Sequence, residues 1–306
     1  MITSIRQKSS LRSTVTLPNV LGIGAPRCGT TWLDAQLRHH PEAFMSTARK
    51  EIDYFNLYYD RGTSWYEHHF DLARDADHRV IGDVSPRYFC GDEIPDQIKL
   101  ALGNPRFIVL LRNPVKRMIS DYIFTSGRST KPLDFEQMSS VGWSFSCGFY
   151  ADHLRNYFRV FDRDRFLIFI FEELFSNVDA HLDKLAEFLA ISRRGFDPTA
   201  SSEKINSSLN SSNPLLNIAR KGGRWLRKND LDGLANLGLK ALSILPKSAP
   251  NIAPIPDRQI EALYARYERA VVETEELLGR DLPQWRKPAS LGAEGTGVAG
   301  PQSMAS

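Results

Sequence analysis

The sequence predicts an α/β protein built on a parallel sheet with helices on both faces. Short apolar runs bounded by turn residues alternate along the chain with segments of helical length, a pattern typical of parallel sheets. The chain has 306 residues, of which 42% are hydrophobic and 25% are charged. This is enough to bury a sizeable core, so disordered and fibrous classes of protein are excluded.

Four apolar runs are the predicted buried strands, because each is rich in Val, Ile, Leu or Phe and is bounded by turn residues. They are residues 20–23, residues 80–81 within a slightly longer segment, residues 107–111 and residues 166–171. Each run is followed by enough chain for a helix.

Five segments are predicted to be helices. The first, residues 30–39, begins with two threonines and ends before Pro41, whereas the second begins at Pro114, where a proline fits the first turn, and continues through Phe124. The other three cover residues 150–161, 178–189 and 257–278, the last being long and amphipathic. The residues between 201 and 213 are dense in serine and asparagine and predict a long loop.

The charge and the chain ends limit the partners that we expect. Lysine and arginine number 39 against 36 for aspartate and glutamate, a net charge of +3 that argues against a nucleic-acid partner and makes any anion site local. The N-terminus has no apolar run of signal-peptide or anchor length, which predicts a cytoplasmic protein without membrane insertion. We expect a flexible segment over residues 1–16, one domain over residues 17–286 and a disordered tail over residues 287–306.

The three cysteines, Cys28, Cys90 and Cys147, are far apart and odd in number. Their spacing matches no metal-ligand pattern. The sequence therefore predicts neither a disulfide framework nor a zinc site, and a reducing compartment is the expected environment.

A glycine-bearing turn joins the first predicted strand to the first predicted helix. Gly24 and Gly29 allow a tight backbone bend around a ligand, and the first N–H groups of the helix have no partner within it. The helix dipole favours negative charge there, and Arg27, Thr30 and Thr31 add a cation and two hydroxyls. This turn is a candidate anion site, with a ligand-free glycine turn as the alternative.

The spacing of Gly24 and Gly29 matches the phosphate-binding pattern G-x-x-x-x-G-K-[ST], except that Thr30 stands in the position of the lysine. That lysine neutralises the β and γ phosphates of ATP. Its absence argues against a P-loop kinase or ATPase, which remains an alternative function.

Residues 26–33 read P-R-C-G-T-T-W-L and resemble the loop P-[KR]-[ST]-G-T-T-W-L of sulfotransferases that use 3′-phosphoadenosine 5′-phosphosulfate (PAPS). In this family the loop binds the 5′ end of the nucleotide, and the tryptophan stacks on adenine. The resemblance assigns cofactor binding here to Arg27, Cys28, Gly29, Thr30, Thr31 and Trp32. Cys28 departs from the usual hydroxyl residue, and Trp32 equally suits a position in the core.

Residues 110–122 read L-L-R-N-P-V-K-R-M-I-S-D-Y and resemble the 3′-phosphate site L-R-N-P-x-x-R-x-x-S-x-Y of the same family. Arg112 ends a predicted strand, at the edge where open parallel sheets bind ligands, and Ser120 lies about two helical turns further on. The resemblance assigns both to the 3′-phosphate. Lys116 and Arg117 are either additional ligands or part of a solvated helix face.

Residues 50–55 read K-E-I-D-Y-F and resemble the K-E-x-x-[FY]-F motif of carbohydrate-modifying sulfotransferases. Sulfuryl transfer needs a base near the acceptor hydroxyl and cations that stabilise the charge on the leaving phosphate. The resemblance implies that Glu51 is the base, while Lys50 and Arg27 stabilise charge; a surface ion pair is the alternative for Lys50 and Glu51. Asp53 stands where the family often has histidine.

Other branches of the family use a histidine base. Candidate histidines are present, but none lies in a segment that matches those branches: His39, His40, His68, His69 and His153.

Residues 82–88 read G-D-V-S-P-R-Y and resemble the element G-[DE]-x-[ST]-P-x-Y, which lies near the acceptor pocket in the family. The resemblance implies that Asp83 and Arg87 contact the substrate, whereas a plain proline turn is the alternative. Residues 204–212 and 220–223 are two candidates for the loop on the adenosine side. With matches near residues 148–154 and 277–285, the resemblance extends over residues 18–285.

These motifs predict a PAPS-dependent sulfotransferase, and the resemblance implies a three-layer, P-loop-like fold of the nucleotide-kinase type around a central parallel sheet. The expected acceptor is a hydroxyl or amine of a carbohydrate, lipid or small natural product. We expect no metal requirement, because the transferred group carries one formal charge and protein cations suffice. A non-catalytic protein that binds PAPS or its product, 3′,5′-diphosphoadenosine (PAP), is the second alternative, suggested by Cys28 and Asp53.

Overall fold

The computed structural model describes residues 16–73, 78–129, 133–199, 222–223, 225–242, 252 and 254–291. A five-stranded, fully parallel sheet with strand order β2-β3-β1-β4-β5 forms its centre, which confirms the predicted α/β class. The strands are β1 Val20–Gly24, β2 Ala43–Met45, β3 Val80–Val84, β4 Arg106–Leu111 and β5 Phe166–Ile170. The sequence pattern did not indicate β2, because this edge strand has only three residues.

The described residues form α-helices of very different lengths. These are α1 Thr30–His39, α2 Thr63–His68, α3 Ile94–Leu102, α4 Pro114–Ser126, α5 Phe135–Met138, α6 Trp143–Ser146, α7 Tyr150–Phe158, α8 Phe171–Leu174, α9 Val178–Leu189, α10 Asp232–Leu242 and α11 Asp257–Leu278. Shorter helical turns are Tyr54–Tyr58, Tyr59–Arg61, Asp71–Ala73, Pro86–Cys90, Arg163–Arg165, Arg193–Gly195 and Pro283–Trp285. In the described part of the chain, no helix combines the length and the apolarity needed to cross a bilayer.

The bounds of α1, α9 and α11 match the prediction, while α4 continues to Ser126 and α7 already ends at Phe158. The prediction omitted α3, although Pro95 in its first turn is a start signal, and it omitted α10. The predicted loop over residues 201–213, the candidate segment 204–212, residues 220 and 221, and most of both predicted chain ends lie outside the described residues.

The core is centred on β1, whose five residues are all buried between β3 and β4. Gly22 brings the neighbouring layers close: a Cβ at this position would lie 2.9 Å from the side chains of both Leu33 in α1 and Val84 in β3. This close approach sets α1 against the sheet. The helix that follows the first strand therefore begins at a fixed position beside the strand ends.

A disulfide joins Cys90 to Cys147, so the expectation of unpaired cysteines was wrong. The two Cα atoms lie 5.6 Å apart, although 57 residues separate them in the chain. Spacing along the sequence did not reveal this proximity, because it arises from the packing of the turn Pro86–Cys90 beside the start of α7. Cys28 is the free cysteine and is buried.

Gly24, the last residue of β1, has a φ of +137°. A Cβ there would lie only 2.4 Å from the main-chain oxygen of Pro86, which follows β3. Gly103, after α3, has a φ of +74°, but a Cβ added to it would meet no atom within 4 Å. A substitution at either glycine would strain the backbone, but only a substitution at Gly24 would also cause steric overlap.

We expect Gly24→Ala to lower the free energy of unfolding by about 3 kcal/mol or more, because it combines an unfavourable φ with overlap against main chain. Gly103→Ala introduces only the unfavourable φ and should cost about 1–2 kcal/mol. Urea denaturation of both variants measures the difference. Equal losses would show that the end of β1 relaxes away from Pro86.

Candidate functional site

The carboxyl ends of β1, β3 and β4 lie side by side, because these strands are neighbours in the parallel sheet. Main-chain hydrogen bonds join the segments that leave these strands to the neighbouring strands. Ala25 N–H donates to Leu110 O over 2.7 Å, and Ser85 N–H donates to Gly22 O over 3.0 Å. Open parallel sheets bind ligands at this edge. The predicted anion loop (residues 24–29), the acceptor-side element (residues 82–88) and Arg112 therefore converge on one region.

The anion loop ends at Gly29, which precedes α1 with a φ of +95°. A Cβ at Gly29 would lie 3.1 Å from the ring of Phe171, so the loop depends on a residue without a side chain. Within the described residues, no backbone acceptor is bonded to the N–H groups of Gly29, Thr30 and Thr31. Three donors at the start of a ten-residue helix thus remain available for an anion.

Cys28 contributes differently from its neighbours. Its thiol is buried in the core, 3.9 Å from the hydroxyl of Tyr150, and burial raises its pKa to about 12. Its main-chain N–H donates to Ala25 O over 3.3 Å, inside the loop. The Cys28 N–H is therefore not among the loop donors that lack a backbone acceptor.

Arg27 and Arg112 join the two predicted phosphate sites into one. Arg27 Nε donates to Ser120 Oγ over 3.3 Å, and Arg112 Nη1 donates to the main-chain oxygen of Arg27 over 3.3 Å. Each guanidinium lies over an aromatic ring, that of Phe124 at 4.1 Å and that of Phe171 at 4.5 Å, respectively. The aromatic rings thus hold both guanidinium groups in place at the carboxyl edge of the sheet.

The electrostatics of this region favour an anion. Arg112 Nε is buried and has no hydrogen-bond partner in the described part of the protein. Burial is the main reason that the pKa of Arg27 is lowered; Asp121 raises it, and Arg112 lowers it further. A negatively charged ligand would satisfy the unpartnered donor and offset the repulsion between the two guanidinium groups.

Lys50 and Glu51 lie at the edge of the same loop. Lys50 Nζ donates to Thr31 Oγ1 over 2.9 Å and lies 4.0 Å from Glu51 Oε1. The side chains of Lys50 and Glu51 are 40% and 42% exposed, so a ligand can reach both. The contact with Thr31 favours the functional interpretation over an unconnected surface ion pair.

Asp53 is a second carboxyl group near Glu51. It is half-buried, and its φ of +56° places it in the left-handed region. Burial, with smaller contributions from the charges of Glu51 and Asp83, raises its pKa to about 7, while Arg87 acts in the opposite direction. At neutral pH a substantial fraction of Asp53 therefore carries a proton.

The two residues assigned to the substrate differ in accessibility. Arg87 is exposed, and its guanidinium lies 5.0 Å above the ring of Trp143. Asp83 is only 1% exposed, and its oxygens accept hydrogen bonds from Tyr66, Tyr88 and Ser85. Arg87 can meet an acceptor directly, whereas Asp83 is enclosed and does not face one.

Trp32 does not line the anion loop. It is 1% exposed and packs edge-to-face against Phe175, with ring centroids 6.2 Å apart. The enclosed position agrees with the core interpretation of this residue, and its assignment to adenine stacking stays a prediction. The first turn of α1 places residue 32 on the helix face that meets the protein interior.

Lys116 and Arg117 differ in solvent exposure. Lys116 is exposed on α4, as a solvated helix face requires. Arg117 is completely buried, donates to Ser144 O and lies 3.8 Å from Asp121 Oδ2. Arg117 is thus part of the packing around α4 and not part of a solvated face.

Arg49, which directly precedes the Lys50–Glu51 pair, was not singled out in the sequence. Its buried guanidinium donates to both oxygens of Asp232 in α10, over 2.6 and 3.0 Å, and lies over the rings of Tyr58 and Trp65. Its partner is 183 residues away, so no local pattern could indicate this pair. The pair anchors α10 beside the exposed Lys50 and Glu51.

Four of the five candidate histidine bases make other contacts. His40, His69 and His153 lie within hydrogen-bond distance of the main-chain oxygens of Ser192, Trp65 and Ser146, and His68 pairs with Asp71. The described residues contain no group of three or more His, Cys, Asp or Glu side chains arranged to hold a metal ion. Glu51, 4.0 Å from Lys50 Nζ beside the anion loop, stays the predicted base.

Comparisons with known proteins agree with this geometry. The family model of the sulfotransferase domain matches residues 17–220. Heparan sulfate glucosamine 3-O-sulfotransferase 6 of Mus musculus is 31% identical over 185 residues, which is 58% of this chain and 53% of that protein. Membrane-associated sulfotransferase kil1 of Dictyostelium discoideum is 38% identical over 110 residues, covering 36% of this chain and 23% of that protein. The chain thus spans about half or less of these relatives.

The fold has a counterpart of known structure. A sulfotransferase from Alicyclobacillus acidocaldarius superposes with a TM-score of 0.64 and 22% identity, over 89% of this chain and all of that one. This likeness concerns the fold alone. Because the family model covers about two thirds of the sequence and includes the anion loop, Lys50, Glu51, Arg112 and Ser120, the chain belongs to the sulfotransferase family.

Proposed function

We propose that this protein transfers a sulfuryl group from PAPS to an acceptor hydroxyl, with carbohydrates as the first acceptor class to examine. The observation that carries the proposal is the 2.9 Å contact between Lys50 and Thr31. This contact places the Lys50–Glu51 pair against the first turn of the helix that begins at the anion loop. The candidate base is therefore adjacent to the anion site, as group transfer requires.

The arrangement of cations suits a nucleotide with two separate anionic groups. The free N–H groups at the start of α1 and Lys50 would hold the sulfated 5′-phosphate, while Arg112 and Ser120 would hold the 3′-phosphate. Arg27, bonded to Ser120, lies between the two. ATP lacks the 3′-phosphate, so it would leave one of these sites unfilled.

In the proposed reaction, Glu51 accepts the proton of the acceptor hydroxyl. The acceptor oxygen forms a bond to sulfur while the bond between sulfur and the 5′-phosphate oxygen breaks, which leaves PAP. Lys50 and Arg27 stabilise the charge that develops on this leaving group. Because the side chain of Glu51 is exposed, its proton can pass to solvent afterwards.

The acceptor class rests on two observations. The curated relatives include proteins named for sulfation of glucosamine in heparan sulfate, although this chain spans only about half their length. Arg87, exposed on the acceptor side, supplies a cation that suits an acidic sugar. Lipid headgroups, small natural products and amines form the second group of acceptors to test.

We expect Arg112→Ala to weaken PAP binding by about 1.5–3 kcal/mol, because the variant loses a charge-assisted contact to the 3′-phosphate. Lys184→Ala, which removes an exposed cation from α9, should leave the affinity unchanged. Calorimetric titration of PAP in EDTA measures both, with adenosine 5′-phosphosulfate and ATP as comparisons. An unchanged PAP affinity of the Arg112 variant would remove this residue from the site, and a preference for ATP with magnesium would favour a kinase.

Glu51→Gln should lower kcat by about 10²–10⁴-fold while PAP affinity stays unchanged, because the variant loses the base but retains the anion site. Turnover of PAPS with a panel of oligosaccharides measures the rate. Glu93→Gln, at an exposed position before α3, is the matched control. Full turnover by the Glu51 variant would move the base elsewhere, and a wild-type protein that binds PAP but transfers nothing would support the non-catalytic alternative.

We expect Asp53→Asn to make the free energy of unfolding less dependent on pH. The raised pKa means that native Asp53 retains a proton between about pH 4 and 7 while the unfolded chain has lost it, so stability falls as pH rises through this range. Because the side chain is partly exposed, the loss is about 1–2 kcal/mol. Urea denaturation of wild type and variant at pH 4.5 and 7.5 tests this, and an unchanged slope would contradict it. In the variant, the raised pKa of Asp83 should still make the free energy of unfolding fall as pH rises, with a smaller slope than in wild type.

A further inference from the structure

We infer that Asp83 is a positioning residue that fixes the main chain carrying the base Glu51. This inference rests on the proposed function and deepens it. Asp83 is the last residue but one of β3 and is enclosed by Tyr66, Ser85 and Tyr88. It follows that Asp83 acts on the reaction only through the residues bonded to it.

An ionised carboxylate only accepts hydrogen bonds, so it determines the direction of every bond around it. The hydroxyls of Tyr66 and Tyr88 donate to Oδ2 over 2.8 Å each, and the Ser85 hydroxyl donates to Oδ1 over 2.7 Å. The oxygens of these hydroxyls are then free to accept. By accepting the hydroxyl protons, Asp83 leaves the hydroxyl oxygens oriented to accept hydrogen bonds from main-chain N–H groups.

Two successive N–H groups after Glu51 use these acceptors. The Asp53 N–H donates to Ser85 Oγ over 3.1 Å, and the Tyr54 N–H donates to Tyr88 Oη over 2.8 Å. The main-chain N–H groups of residues 53 and 54 are therefore held by one buried carboxylate, through the hydroxyls that are bonded to it.

Glu51 needs this support because its own side chain is weakly held. Its ion partner in the described part of the chain is Lys50, at 4.0 Å, and its side chain is 42% exposed. The chain also passes through the left-handed conformation at Asp53, with a φ of +56°. The position of the carboxylate relative to the anion loop is thus set by the main chain, and a shift of about 1 Å can cost 100-fold in rate.

Tyr88→Phe and Tyr66→Phe form a matched pair that tests this inference. Both tyrosines are completely buried, and both hydroxyls lie 2.8 Å from the same oxygen of Asp83. Only the Tyr88 hydroxyl accepts a main-chain N–H from the segment after Glu51. We expect Tyr88→Phe to lower kcat by about 10- to 100-fold with unchanged PAP affinity, and Tyr66→Phe to retain at least about half of kcat at a similar loss of stability.

Hydrogen exchange of a peptide covering residues 51–55 gives a second readout that needs no acceptor. Exchange should be faster in Tyr88→Phe than in Tyr66→Phe, and Ser85→Thr, which keeps the hydroxyl, should exchange more slowly than Ser85→Ala. If the two tyrosine variants are alike in both kcat and exchange, the inference is overturned. If wild-type protein transfers no sulfuryl group, the proposed function fails, and the exchange comparison alone decides whether Asp83 fixes this segment.

Discussion

The site depends on the pairing of β1 with β3 on one side and β4 on the other. Because the three strands are parallel neighbours, their carboxyl ends lie at the same edge of the sheet, and the segments that leave them meet there. The bonds from Ala25 to Leu110 and from Ser85 to Gly22 continue this pairing beyond the strands. The anion loop, the acceptor-side element and Arg112 thus have fixed relative positions before any ligand binds, which is the preorganisation that group transfer needs.

The charges at this edge differ from those elsewhere in the protein. Arg49 is matched by Asp232 in a bidentate pair, as a buried guanidinium requires. Arg27 and Arg112 instead lie against aromatic rings and donate to a hydroxyl and a main-chain oxygen, which leaves their charge for a ligand. Arginine is therefore a structural anchor at position 49, whereas at positions 27 and 112 it is a proposed binding group.

Lys50 and Glu51 are exposed side chains on a rigid main chain. On one side Arg49 fixes the backbone through its buried pair with Asp232. On the other side Asp83 fixes the N–H groups of the second and third residues after Glu51 through the hydroxyls bonded to its carboxylate. Exposure would allow an acceptor and a proton to reach Glu51, the proposed base. Burial of the flanking residues would keep the main chain of Glu51 in a fixed position relative to the anion loop.

The sequence by itself determined the parallel α/β class, four of the five strands, and the residue groups that form the anion loop and the Lys50–Glu51 pair. These features depend on local periodicity and on neighbours within a few residues, which a sequence displays directly. Only the tertiary structure decided that Trp32 and Asp83 are enclosed and that Cys90 joins Cys147. Enclosure and long-range pairing depend on which elements pack together, and this is set by the whole core and not by the spacing of residues along the chain.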